Sequence, residues 1–217
     1  AAQAQLTDNM SKIGVLNDQS SLYADLTGQG SVVAARMAVE DFGAAAKNMK
    51  VEIVFADHQN KADVGANVVR QWLDVDKVDL IADVPNSAVA LAVNQIVKEK
   101  NKVFIVSGAA SSDLTGTACS PNTVHWTYDT WALANGTGNA VVKSGGDTWY
   151  FLTADYAFGH ALERDVAAVV NQLGGKVLGV VRHPLNTADF SSFLLQGQAS
   201  KAKIIGLANA GGDTTNA

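Results

Sequence analysis

The sequence predicts an α/β protein made of two doubly wound parallel-sheet lobes in series. Three observations predict it. Short apolar runs alternate with segments of helical period along nearly the whole chain. Those runs are continuously apolar rather than alternating, as expected of parallel strands covered on both faces. One stretch without period, 108–122, carries Gly, Ala, Ser, Thr, Asp and Pro and reads as loop, and the alternation then restarts. The lobes are accordingly placed at residues 1–122 and 123–217, each about one domain in size or slightly less.

Taken in order, Lys12–Asn17 reads as a buried strand, followed by a helix from Gly30 to Ala45 with Val32, Ala35, Val39 and Phe42 on one face. Val51–Ala56 is the second strand. The next helix, Val64–Leu73, turns Val68, Val69, Trp72 and Leu73 inward. Leu80–Ala82 is a third strand, and the helix from Ser87 carries Ala88, Leu91, Ala92 and Ile96 on its apolar side. Val103–Ser107 is the fourth strand. Beyond the loop, Val124-His125-Trp126 is a short apolar piece and Asp129–Val142 reads as helix. Trp149–Thr153 is then a strand, and Ala161–Leu173 a helix with Leu162, Val166, Val169, Val170 and Leu173 on one side. Val177–Val181 and Lys203–Leu207 are strands separated by a helix around Phe190–Gln198.

Hydrophobic residues make up 47% of the chain and charged residues 17%, enough apolar material for a sizeable core. The formal net charge of −5, with the 16 Lys and Arg scattered, weighs against a nucleic-acid binder, which needs a basic face. No apolar run approaches the roughly 18 residues of a membrane span. Ala2-Gln3-Ala4 has the small-x-small form of a signal-peptidase site, a form that an Ala-rich start also produces by chance. The single cysteine, Cys119, suggests a partner elsewhere if the compartment is oxidising, and a free thiol if it is not.

Catalytic patterns are sparse. His58, His125, His160 and His183 are well separated and lack metal-ligand spacing. Gly28-Gln29-Gly30 opens like a dinucleotide fingerprint, but Val33 occupies the place of the third glycine. There is no Gly-Lys-Ser/Thr phosphate loop, G-x-S-x-G elbow or C-x-x-C pair. No cofactor, metal or catalytic residue is expected.

Polar segments instead gather where strands end: Asp18–Thr27, Asn86-Ser87, Gly108–Ser112, Asp155–Gly159 and Asn209–Asp213. In a parallel sheet these ends face one crevice, the place where ligands sit. Ser87, following Asn86, stands at a helix start, where unpaired N–H groups and the helix dipole hold an anion without a cation. An ordinary N-cap serine has the same sequence appearance. Ser111 adds a hydroxyl, Ala109 and Ala110 add backbone groups, and Tyr23, Tyr156 and Phe158 add flat apolar surface. That inventory fits a small, partly apolar anion gripped between two lobes.

Lys12-Ile13-Gly14-Val15-Leu16, the strand ending at Asn86-Ser87, and Ser107-Gly108-Ala109-Ala110-Ser111 followed by Asp113-Leu114-Thr115 resemble the amino lobe of type I periplasmic binding proteins. More specifically the chain resembles the branched-chain amino-acid (leucine/isoleucine/valine) receptor family of ABC importers, over nearly its whole length. The resemblance implies that Ser87 and Ser111 bind the ligand carboxylate, with backbone help from Ala109 and Ala110. It also implies that Phe158, ahead of Gly159, closes the pocket from the second lobe. Leu22-Tyr23-Ala24-Asp25, His125-Trp126-Thr127-Tyr128-Asp129-Thr130 and Asp155-Tyr156-Ala157-Phe158-Gly159-His160 look closer to members that take up aromatic acids such as benzoate or cinnamate derivatives.

Family members are longer, and their chain crosses back to finish the first lobe, so the resemblance implies that a carboxyl-terminal part lies outside these 217 residues. That part would supply the family's acidic residue for an amino-acid ammonium and a partner for Cys119. Asp213 stands either as a cation partner or as a hydroxyl acceptor. The implied function is a non-enzymatic, exported, periplasmic and monomeric receptor that delivers a small carboxylate, most readily an aromatic acid, to the membrane permease subunits of an importer. The alternatives are a branched-chain or other amino-acid receptor, the ligand-sensing domain of a signalling protein, and an enzyme using the same crevice.

Overall fold

The first sheet forms from β1 (Ser11–Asn17), β2 (Val51–Asp57), β3 (Leu80–Asp83), β4 (Val103–Val106) and β5 (Thr123–His125), in the order β2-β1-β3-β4-β5 and parallel throughout. The structure, a computed structural model, describes residues 10–217, and the Ala2-Gln3-Ala4 motif lies outside the described residues. Between the strands run α1 (Gly28–Phe42), α2 (Ala62–Asp74) and α3 (Ser87–Glu99). The chain steps from β1 outward to β2, then back across β1 to β3. Right-handed crossovers in opposite directions put α1 on one face and α2 with α3 on the other. The reversal lies between β1 and β3, so a crevice opens beyond their carboxyl ends.

The first core sits under α2 and α3, where Val69, Trp72, Val89, Val93 and Val97 meet Leu16, Ile81 and Phe104. This corrects the face expected for α3. Ala88, Leu91 and Ala92 are half-buried, and the deepest positions are Val89, Ala90, Val93 and Val97, with Ile96. A helix apolar nearly all round does not reveal from period alone which face is inward. On α1 only Val32 among the expected face is fully buried, and Phe42 is exposed, its ring lying 3.4 Å from the Lys47 ammonium.

The second sheet, β6 (Thr148–Ala154), β7 (Lys176–His183) and β8 (Ile204–Ala208), is parallel in the order β7-β6-β8, with the reversal between β6 and β8. Its helices are α4 (Thr130–Leu133), α5 (Asn139–Lys143), α6 (Ala157–Gln172), α7 (Ser191–Ala199) and α8 (Gly212–Asn216). Trp149, Phe151, Phe158, Leu162, Val166 and Val170 form its core. The helix expected as one piece over 129–142 is interrupted by a π-helical turn, Ala134–Gly138, containing two glycines. Helix α6 begins four residues earlier than its apolar period suggests, so Phe158 and Gly159 are helical rather than loop.

Two units result. One takes the chain up to Ala109 together with Leu114–Thr127, and the other takes Ala110–Asp113 and Tyr128–Ala217. Sequence patterning assigns 123 onward to the second lobe, but Thr123–His125 pairs with β4 in the first sheet, through Phe104–Thr123 to Val106–His125. Three residues of strand after a loop without apolar period carry too little pattern to show which sheet they join.

Candidate ligand-binding site

In the first unit the ends of β1 and β3 are knit by polar side chains buried at the crevice. Asn17 Nδ2 donates to the Gly28 carbonyl at 2.8 Å and to Asp83 Oδ2 at 3.0 Å, and Gln19 Nε2 donates to Asn17 Oδ1. Asp18 accepts the amides of Ser21 (2.9 Å) and Tyr23 (2.7 Å), the Ser21 hydroxyl (2.7 Å) and Asn60 Nδ2 (2.6 Å). This carboxyl folds the β1–α1 loop over itself and fixes Tyr23, which is buried. Asp57 accepts from Ser20 Oγ and from the Gln19 and Gln59 amides. Burial works to raise it, and these donors outweigh burial, leaving it below the usual carboxylate value. Burial pushes the neighbouring His58 down to about 4, against the opposing pull of Asp18 and Asp57.

The chain then leaves β3 in an unusual way. Asp83 (φ 79°) and Val84 (φ 56°) both lie in the left-handed region, where a β-branched residue is an outlier. Pro85 follows, and Asn86 caps α3: its Oδ1 accepts the Ala88 amide at 2.9 Å and the Val89 amide at 3.1 Å. Ser87 is therefore the first helical residue rather than the cap, and it is buried. Asn86 Nδ2 reaches Asn60 Oδ1 at 3.4 Å. The β4 end packs closely here, because a Cβ at Gly108 would stand 2.8 Å from Pro85 Cα. Ala109 is buried, and its carbonyl accepts from His125 Nε2 at 2.8 Å.

The second unit holds the remaining expected residues. Ala110 and Ser111 are buried, the Ala110 carbonyl accepts the Thr130 amide at 2.8 Å, and Ser111 Oγ and the Asp113 carboxyl lie 3.3 Å apart. A polar knot holds this segment. Ser112 Oγ and Thr130 Oγ1 each donate to Asp165 Oδ2 at 2.6 Å, and Arg164 joins Asp113 (3.0 Å) to Asp165 (3.0 Å). Burial works against the Arg164 charge, but the two carboxylates prevail and raise its pKa. Tyr156 and Phe158 stand at the β6 end with ring centroids 6.0 Å apart, Tyr156 half-buried and Phe158 buried in the core. Gly159 is required there, since a Cβ would lie 2.0 Å from the Ala154 carbonyl oxygen.

Asp213 is held by backbone amides. It is buried, and its oxygens accept the amides of Asn186 (3.2 Å) and Thr187 (2.9 Å), tying α8 to the loop after β7. His183 Nδ1–H donates to the Pro184 carbonyl at 2.8 Å, which leaves Nε2 to accept from Asn209 Nδ2 at 3.2 Å. The structure thus gathers Tyr23, Asn86, Ser87 and Ala109 in one unit and Ala110, Ser111, Tyr156, Phe158 and Asp213 in the other. Sequence reasoning missed Asn17, Asn60, Asp83 and the Arg164 knot. Polar residues directly closing an apolar strand, as in Asn17-Asp18 and Asp83, were the available signal.

An apolar cavity of about 380 Å³ lies elsewhere in the second unit, against β8, lined by Trp149, Phe151, Leu162, Ile204 and Leu207 among others, and holds none of the expected site residues. Among the described residues no group of three His, Cys, Asp or Glu is placed to hold a metal, and Cys119 is exposed and free. No helix among them is long and apolar enough to cross a membrane.

A family model described as periplasmic binding protein matches residues 11–217, nearly the whole chain. The chain belongs to the periplasmic binding protein family. It is 58% identical to a periplasmic binding protein from Burkholderia mallei, with a TM-score of 0.94 over 97% of this chain and 56% of that one. A branched chain amino acid ABC transporter periplasmic ligand-binding protein from Burkholderia xenovorans LB400 is 38% identical, with a TM-score of 0.77 over 95% of this chain and 55% of its own. An ABC transporter solute binding protein from R. palustris in complex with 4-hydroxybenzoate is 25% identical, with a TM-score of 0.86 over 95% of this chain and 56% of its own. The chain spans about half the length of these relatives. Family and neighbours are solute-binding proteins rather than enzymes.

Proposed function

We propose that this chain is part of a periplasmic solute receptor of an ABC importer that binds a small aromatic carboxylate and passes it to membrane permease subunits. Ser87 holds the carboxylate at the positive end of α3, Ser111 and the backbone at Ala109 and Ala110 assist, and Tyr23, Tyr156 and Phe158 provide apolar surface. The observation that carries the reading is the division of labour at α3. Asn86 caps the helix through the Ala88 and Val89 amides, and Ser87 is its first residue. A buried hydroxyl then stands at the positive end of a 13-residue helix.

The choice of an aromatic acid over an amino acid rests on Tyr23, Tyr156 and Phe158, which stand at these strand ends and offer flat rings to a flat ligand. The 4-hydroxybenzoate complex of the R. palustris relative supports the same choice. The second reading, a branched-chain amino-acid receptor, is favoured by the 38% identical relative from B. xenovorans. A thermal-shift screen of the full-length protein against benzoate, hydroxybenzoates, cinnamates, leucine and valine separates the two. Stabilisation by aromatic acids, recovered unchanged, is expected; stabilisation by leucine or valine alone selects the second reading.

A further inference from the structure

We propose that Asp83 is a positioning residue for the carboxylate site, holding the strained turn that sets where Ser87 lies. The inference rests on the reading that Ser87 takes the carboxylate. Asp83 is buried, and among the described residues no cation pairs with it. Its partners are the neutral donors Asn17 Nδ2 (3.0 Å) and Ser107 Oγ (3.1 Å), one at the end of each flanking strand. Placing a carboxyl in such surroundings is unfavourable unless it does something an apolar residue cannot.

What it does is visible in the backbone. Two successive residues in the left-handed region, one of them a fully buried valine, persist only where the surroundings over-determine them. Asp83 supplies much of that constraint. Its side chain spans from β1 to β4, its carbonyl accepts the Ser107 amide at 3.3 Å, and the next amide, Val84, donates to the Leu16 carbonyl at 2.9 Å. From there to Ser87 the chain has little freedom. Pro85 fixes its own φ and abuts Gly108, and Asn86 is bonded to Ala88 and Val89. A shift at Asp83 therefore reaches Ser87 undiminished.

The test compares Asp83→Ala, Asp83→Asn, Ser87→Ala and the Asp83→Ala/Ser87→Ala double variant of the full-length protein, titrated with benzoate well below their melting temperatures. Asn suits the left-handed region and keeps both contacts, its oxygen accepting from Asn17 and its amide donating to Ser107 Oγ. Asp83→Ala is expected to weaken binding at least about tenfold, Asp83→Asn to stay within about threefold of wild type, and the double variant to bind about as weakly as the weaker single variant. An Asp83→Ala protein that melts earlier but binds normally overturns the inference, as does a double variant that loses the product of the two single effects. If Asp83→Ala does not fold, Ser107→Ala removes one of the two bonds and is judged by the same criteria. Failure of the wild type to bind any aromatic acid overturns the functional reading instead. Amide exchange at Ala88 and Val89 then decides for Asp83: faster in Asp83→Ala but not in Asp83→Asn supports positioning, and no change refutes it.

Discussion

The side-chain oxygen of Asn86 lies 2.9 Å from the amide of Ala88, so the first turn of α3 is capped from outside the helix while the Ser87 hydroxyl sits inside it. On the proposed function, two adjacent polar residues thereby take separate duties, Asn86 capping the helix and Ser87 meeting the ligand.

That separation predicts opposite phenotypes. Asn86→Ala should lower stability by about 1 kcal/mol, the usual cost of losing an N-cap. Ser87→Ala should weaken benzoate binding by about ten- to a hundredfold, as expected for one hydrogen bond to a charged group, whereas Asn86→Ala should leave affinity far less changed. Melting curves and titrations on the same two proteins check both halves.

The knot around Asp165 predicts an ordering of effects. Arg164 is half exposed, so Arg164→Ala should cost no more than about 1 kcal/mol. Asp165 is largely buried and accepts from Thr130, Ser112 and Arg164, so Asp165→Ala, which takes the acceptor from the buried Thr130 hydroxyl and the half-buried Ser112 hydroxyl, should cost about 1–3 kcal/mol. Urea unfolding of the two variants should show Asp165→Ala as the weaker protein.

His58 predicts an acid-sensitive stability. Buried and with Nδ1 accepting the Asn60 amide at 3.0 Å, it stays neutral in the folded protein down to about 4, whereas in the unfolded chain it protonates near 6.5. Between those values the unfolded state binds more protons. The contribution is therefore complete above pH 6.5 and declines as pH falls toward 4, by on the order of 3 kcal/mol in all. Urea midpoints at pH 7 and pH 4.5 should diverge in the wild type, and the divergence should shrink in His58→Asn, which keeps an acceptor for Asn60.

Gly159 tolerates no side chain. A Cβ there would lie 2.0 Å from the Ala154 carbonyl oxygen and 3.0 Å from that of Ala208, both backbone atoms at strand ends. Gly159→Ala should destabilise the second unit by about 3 kcal/mol or more, at or beyond the upper range of overpacking. Soluble expression with an unchanged melting temperature would contradict this.

The sheets were legible in the sequence because their strands are continuous apolar runs, and β1, β2, β6 and β7 lie where those runs do. The buried face of α3 was not legible, since Ala and Val occupy nearly every position and period then carries no direction. The start of α6 was hidden because Tyr156 makes no side-chain cap and the helix opens with Ala157, Phe158 and Gly159, which carry no start signal. Ser87 was visible from its place between strand and helix. Asp83 was not, because its importance lies in a left-handed backbone and in bonds to Asn17 and Ser107 from distant parts of the chain.

The central claim, an aromatic carboxylate held at Ser87 without a cation, is tested most directly by calorimetric titration of the full-length protein with benzoate, benzamide and leucine. Benzamide keeps the ring and removes the charge. Saturable binding of benzoate at one site, benzamide at least about tenfold weaker and no heat from leucine is the predicted result, since a charge-assisted hydrogen bond is about twice as strong as a neutral one. Equal affinity for benzoate and benzamide, or binding of leucine in place of both, would contradict the account.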